Sequence, residues 1–258
     1  NGRISSILRP SGRTFSSVIK RRTSSFSKLS TNSRKNLTVS KKRFRIKPTV
    51  SQKKEAEMKK GKKRKQELLN LAYHMFIEKG YENTSIDEIV AKAGIAKGTY
   101  YYYFESKEAT LEAVIEMMIK KNSTAAKEIL TAELSIPEKL VSVVDAFRPD
   151  KEESVITNVL ERKENIIMHD KICKKIVEVA VPILAEIVKE GIAQGIFLCT
   201  HIEERVKMLL VMSQHMFDYG FFGERDVEVY IDMLEKSLGA KSGTMHFISK
   251  VLVEGAKE

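Results

Sequence analysis

From about residue 62 onward, apolar positions recur every three or four residues, a rhythm that predicts helices throughout. Leu68, Leu71, Ala72, Met75 and Phe76 give a first helix, over about 62–79, one apolar face. Gly80 stands where a left-handed C-cap is needed to end it. Ser85 and Glu88, three positions apart, form a capping box that opens a short second helix. Ile86, Ile89, Val90 and Ala93 supply its buried face, and Gly94 stops it. A tight turn over 94–97 leads into a third helix, Lys97 to Phe104, and Ser106 caps a long fourth one carrying Leu111, Val114, Ile115, Met118 and Ile119. Further helices are expected over about 137–147, 151–168, 170–194, 203–221 and 226–238, with a last one near 246–254. Pro182 should kink the helix over 170–194, and Gly191 and Gly195 should bracket its end. The fold class is therefore all-α.

Two short helices around a glycine-containing turn make a helix-turn-helix. The third helix sharpens that reading, because its four consecutive tyrosines cannot all face inward when a helix buries only about 100° of its circumference. Tyr100 and Phe104, four apart, should pack beneath it, with Ile95 closing the same core. Tyr101, Tyr102 and Tyr103 then point partly or wholly outward beside Lys97, Thr99 and Lys107. Hydroxyl and ammonium donors in that arrangement suit phosphate oxygens. A solvated aromatic patch or a protein-binding surface is the plainer alternative.

Charge divides the chain. The net charge is +11, yet residues 1–57 hold 16 Lys and Arg against 2 Asp and Glu, while residues 58–258 hold 29 against 32. The first segment also contains 17 Ser and Thr and no apolar periodicity, so it is expected to be a disordered leader. Its composition fits a transit peptide, a basic nucleic-acid-binding arm, or sequence translated from upstream of a reading frame that opens at Met58. The last is the expectation, since Met58-Lys-Lys-Gly-Lys-Lys-Arg resembles a bacterial N-terminus. With two cysteines, Cys173 and Cys199, a disulfide scaffold is excluded. No apolar run reaches the length of a membrane span. GxxxxGK, GxSxG and HExxH are all absent, so no enzyme is expected.

The stretch TSIDEIVAKAGIAKGTYYYYFESKEATLEAVI, Thr84 to Ile115, resembles the DNA-binding domain of the TetR/AcrR family of bacterial transcriptional regulators, and the resemblance covers about residues 62–122. It implies an N-terminal three-helix helix-turn-helix domain followed, over 123–258, by a helical domain for ligand binding and dimerisation. It also implies roles residue by residue. Thr84 and Ser85 would touch phosphate. Ala96, Lys97, Gly98 and Thr99 would enter the major groove, with Lys97 and the Gly98 backbone near base edges. Tyr101, Tyr102 and Tyr103 would hold phosphates, and Lys107 would pin the backbone. Three positions depart from the family's habit: Tyr100 stands in place of leucine, Tyr103 in place of histidine, and Ala96 in place of serine.

The segment Pro182 to Phe197 also resembles the ligand-domain helix and turn of such regulators. By position, 203–221 and 226–238 would form the homodimer interface, through Val206, Leu209, Leu210, Ser213, Met216 and Phe217. A core helix within the chain would show the same stripe. Met208, Met212 and Met216 fit either the seam or a pocket. His169 with Cys173, and Cys199 with His201, are weakly spaced zinc ligands; buried cysteine is commonly a plain hydrophobe, and neither metal nor cofactor is expected. The expected function is a cytoplasmic, homodimeric repressor, released from a palindromic double-stranded DNA operator by a small hydrophobic effector. The alternative is a helix-turn-helix protein controlled by a protein partner.

Overall fold

The computed structural model describes residues 49–218, 223–249 and 252. Helices α1 (Val50–Lys79), α2 (Ile86–Ala93), α3 (Lys97–Tyr103) and α4 (Lys107–Ile129) are followed by α5 (Ile136–Phe147) and a single turn, α6 (Ser154–Thr157). A 3-10 turn at Lys163–Asn165 then leads into α7 (Ile166–Ala193), α8 (Ile202–Asp218) and α9 (Glu224–Leu238). Among the described residues there is no strand, and no helix is long and apolar enough to cross a membrane.

Two apolar cores organise these helices. The first gathers Leu68, Ala72 and Phe76 of α1, Ile89 of α2, Tyr100 of α3 and Leu111 to Ile119 of α4. The second begins on the same helix at Ala126 and Ile129 and joins α5, α7, α8 and α9 with Met245, Ile248 and Leu252. The change of core thus falls within α4. Ile156, Val159, Leu160 and Ile172 lie beyond residue 123, yet they bury in the first core. The chain crosses back after α5, and Phe147 packs against both clusters.

Three helix boundaries differ from expectation. The first helix begins at Val50 rather than near residue 62, so residues 50–57, expected to be disordered, are helical. Its early turns have no apolar face; they are held by good helix formers and by pairs such as Lys59–Glu55 at 2.7 Å. The leader's remaining residues, 1–48, lie outside those described. A continuous helix over 151–168 does not form, because side chains capture the backbone there. Asp150 Oδ1 accepts the N–H groups of Glu152 and Glu153 at 3.0 and 2.8 Å, and Asn165 Nδ2 donates to the Val159 carbonyl at 2.7 Å. This local competition breaks a helix. The helix over 170–194 instead starts at Ile166 and runs unbroken through the exposed Pro182. Of the expected last helix, only 246–249 and 252 are described.

The end of α7 depends on a close approach. Phe197 folds back over Gly191, where an added Cβ would lie 2.6 Å from the ring's Cε2. The Ile196 N–H donates to the Gly191 carbonyl at 2.8 Å, and Gly195 takes the left-handed φ of 72° that lets the chain reverse. Two buried charges are satisfied nearby. Lys139 pairs with Glu190 at 2.7 Å and donates to the Leu130 carbonyl. Glu235 accepts the N–H groups of Gly243 and Met245, which ties the segment after α9 to that helix.

Candidate nucleic-acid interface

The helix-turn-helix is fixed by its caps. Ser85 Oγ accepts the Glu88 N–H at 3.2 Å, and the Ser85 N–H donates to Glu88 Oε2 at 2.9 Å, completing the capping box. Lys79 Nζ donates to the other carboxylate oxygen at 2.6 Å. That bond from Lys79, with the two from Ser85, holds the Glu88 carboxyl at about 2, against an ordinary 4.5. Because the folded value is depressed, the stabilisation is complete above the ordinary value and disappears as pH falls from 4.5 to about 2. Glu88→Gln should therefore flatten the acid limb of the unfolding-midpoint profile in that window. If variant and parent lose stability in parallel, the carboxylate has no such role. At the far end of α2, Gly94 takes φ 62° as a left-handed cap, and the Ile95 N–H donates to the Val90 carbonyl at 3.1 Å.

α3 divides as its spacing requires. Tyr100 is fully buried and Phe104 nearly so, while Tyr101 is 46% and Tyr102 81% exposed. Tyr103 is half-buried, its ring edge-on to Tyr102 at 5.0 Å between centroids. The larger residue at position 100 is accommodated by a hydrogen-bond chain. The Tyr100 hydroxyl bonds to Thr110 Oγ1, which donates to the Ser106 carbonyl at 3.1 Å. Burial raises the phenol's pKa, so it stays a neutral donor. Ala96, Lys97, Gly98 and Thr99 are all exposed at the helix start, and Ala96 caps α3 without a side-chain bond.

The remaining expected contacts fall into different positions. Thr84 is a correction: it is fully buried, and its hydroxyl donates to the Gly80 carbonyl at 2.9 Å and the Met75 carbonyl at 3.3 Å. It anchors the loop between α1 and α2 and has no hydroxyl to offer a phosphate. Ser85 beside it is exposed. Lys97 forms an exposed pair with Asp87 at 2.8 Å, and that bond raises its pKa. Such a pair is worth little in water, so exchanging the carboxylate for a phosphate is cheap. Lys107 lies 4.2 Å over the Tyr81 ring and donates to the Glu82 carbonyl at 3.2 Å, which ties its amine to the loop between α1 and α2.

In the second core, a cavity of about 310 Å³ opens between α5, α7, α8 and α9. Leu140, Phe147, Leu184, Leu209 and Leu234 are among its walls, and Arg148, Ser213, Gln214 and Tyr230 supply the few polar groups. The Tyr230 hydroxyl donates to the Leu209 carbonyl at 3.0 Å, and burial pushes its pKa up to about 12. The stripe assigned to a dimer seam is corrected here. Val206, Leu209, Leu210 and Ser213 line this cavity, and Met216 packs against the same core. Among the described side chains, the exposed large apolar ones on these two helices are Met208 and Val211 on α8 with Val229 and Met233 on α9. Nothing is described of the Phe217 side chain. His169 and Cys173 sit one turn apart near the start of α7, Nε2 to Sγ 3.7 Å, while Cys199 and His201 follow its far end. Among the described residues no three His, Cys, Asp or Glu come together as a metal site.

The profile of bacterial regulatory proteins of the tetR family matches residues 68–114. The uncharacterized HTH-type transcriptional regulator YuxN of Bacillus subtilis (strain 168) is 34% identical over 111 residues, 43% of this chain and 35% of that protein. The fatty acid metabolism regulator protein of the same organism is 26% identical over 142 residues, 54% of this chain and 73% of its own length. The HTH-type transcriptional repressor KstR2 of Mycolicibacterium smegmatis is 35% identical over 80 residues, 31% of this chain. The aligned stretch thus spans only about a third of YuxN and 39% of KstR2. Among solved structures, RolR in complex with resorcinol aligns over 78% of this chain and 97% of its own at 18% identity and a TM-score of 0.53. At that identity the likeness is one of fold.

Proposed function

We propose that this chain, which belongs to the TetR/AcrR family, is a homodimeric, sequence-specific DNA-binding repressor released from its operator by a small apolar effector. The surface of α3 supports DNA binding, because Lys97, Gly98, Thr99, Tyr101 and Tyr102 are exposed over a core that Tyr100 and Phe104 fix. The two-fold axis would bring together the outward faces of α8 and α9, through Met208, Val211, Val229 and Met233. A dimer of this kind reads a palindrome with half-sites about 34–36 Å apart.

The effector reading rests on one observation, the apolar cavity that opens between α5, α7, α8 and α9. Its size and few polar groups suit a small hydrophobic molecule. An occupant favours whichever spacing of the two α3 helices gives the cavity its best fit, and operator affinity shifts by that difference. The test is a thermal-shift screen of small apolar compounds on the parent and on a variant with a filled cavity, Ser213→Phe. At a hundredfold excess over Kd, a ligand adds about 2.7 kcal/mol, so midpoints should rise by several degrees in the parent alone. The same compounds should release the parent from DNA. Compounds that stabilise both proteins equally, or that leave DNA binding unchanged, would remove the cavity from the mechanism.

A further inference from the structure

The early turns of α1 carry a feature that the helix-turn-helix does not use. Between Met58 and Gln66 the helix holds six Lys and Arg and no acid. Two of these residues tie the segment to the domain. Arg64 donates to the Ala93 carbonyl at 3.3 Å, at the end of α2, and Lys65 lies 5.0 Å over the Phe104 ring, at the end of α3. At about 100° per residue, Lys59, Lys60, Lys62 and Lys63 occupy a separate arc of roughly 160°, away from the anchored pair. All four are exposed. Lys59 pairs with Glu55, and Glu67 at the other end of the arc pairs with Arg64. Lys60, Lys62 and Lys63 form no ion pair with an acid among the described residues.

We infer that this lysine arc is a second DNA-binding surface, which takes the phosphate backbone flanking the base pairs read by α3. The inference rests on the DNA-binding reading above and adds a sequence-independent contact to it. Several unpaired ammonium groups set on a rigid helix match the regular negative charge of a duplex, and binding there releases counterions. The helix also has the reach. From Lys65 back to Val50 it extends roughly 22 Å at 1.5 Å per residue, so it can follow backbone beyond the site that α3 covers. An anionic membrane is the weaker occupant. Among the described side chains of these turns, Met58 alone is a large exposed apolar one, and an interfacial helix needs an apolar face to insert.

The test uses the full chain and the variant Lys60→Gln/Lys62→Gln/Lys63→Gln, since glutamine keeps the helix and removes the charge. Binding is measured against salt concentration on two duplexes of about 40 base pairs, one enriched from a random pool by the parent and one of unrelated sequence. The slope of log K against log salt should fall in magnitude by about 2–3 in the glutamine variant, on both duplexes. At low salt both affinities should drop at least tenfold, while the ratio between the duplexes holds. Lys60→Arg/Lys62→Arg/Lys63→Arg should keep the parental slope. Equal slopes for the parent and the glutamine variant overturn the proposal, as does an arginine variant that behaves like the glutamine one. If instead the parent alone sediments with phosphatidylserine vesicles and the DNA slopes match, the arc belongs to lipid. A parent that binds neither duplex overturns the DNA-binding reading itself.

Discussion

Replacing Tyr100 with alanine should cost about 3–5 kcal/mol of stability, the range for emptying a buried aromatic site whose walls relax only in part. The ring is fully buried, with Phe104 at 5.8 Å and Tyr101 at 5.6 Å between centroids. It joins α3 to Leu111 and its neighbours on α4, so the orientation of the whole recognition helix depends on it. Tyr100→Phe should separate the ring from its hydroxyl. The hydroxyl's bond to Thr110 and its long donation to the Ser106 carbonyl, at 3.4 Å, are both lost, while Thr110 keeps its own donation to that carbonyl. Removing this one shared donor should cost about 0.5–1.5 kcal/mol. Denaturant midpoints for the two variants give both figures. A Tyr100→Ala protein as stable as the parent would mean that α3 is rotated, and that the tyrosine assigned to the core faces the groove.

What the sequence made legible follows the same division. Ser85, Glu88, Gly94 and Ser106 act through neighbours three or four positions away, and each cap is where its residue type places it. Tyr100 and Phe104 lie inward because helical spacing leaves them no other face. The contacts that escaped prediction are non-local or compete with the periodic signal. Glu153 is buried against Tyr73 of α1 and Lys121 of α4, and no short window around it contains either partner. Thr84 has a side chain fit for phosphate, and only the fold of the loop turns its hydroxyl onto the Gly80 carbonyl. α8 bears two apolar stripes. Periodicity marks both without saying that Val206 and Leu209 face the cavity while Met208 and Val211 face out. The helical turns of 50–61 carry no apolar rhythm at all, since propensity and charge pairs alone sustain them.

Gly98→Ala should leave the fold intact and cost at least about tenfold in DNA affinity, or roughly 1.4 kcal/mol. A Cβ at this position would meet nothing within 4 Å, so the free protein has room for it. Within a helix, alanine also restricts the unfolded chain more than glycine does, and stability should hold or rise by up to about 1 kcal/mol. The cost appears only when the start of α3 lies against base edges, where the new methyl occupies the space a bare backbone needs. Because glycine carries no charge, the salt slope should match the parent's even as affinity falls. Gly94→Ala provides the opposite pattern. Its φ of 62° strains any side chain, so stability should drop through the turn itself. Denaturant midpoints and binding to a duplex enriched by the parent chain separate the two effects. A Gly98→Ala protein that binds as tightly as the parent would show that this turn does not approach the bases, and the reading head would have to lie elsewhere on the domain.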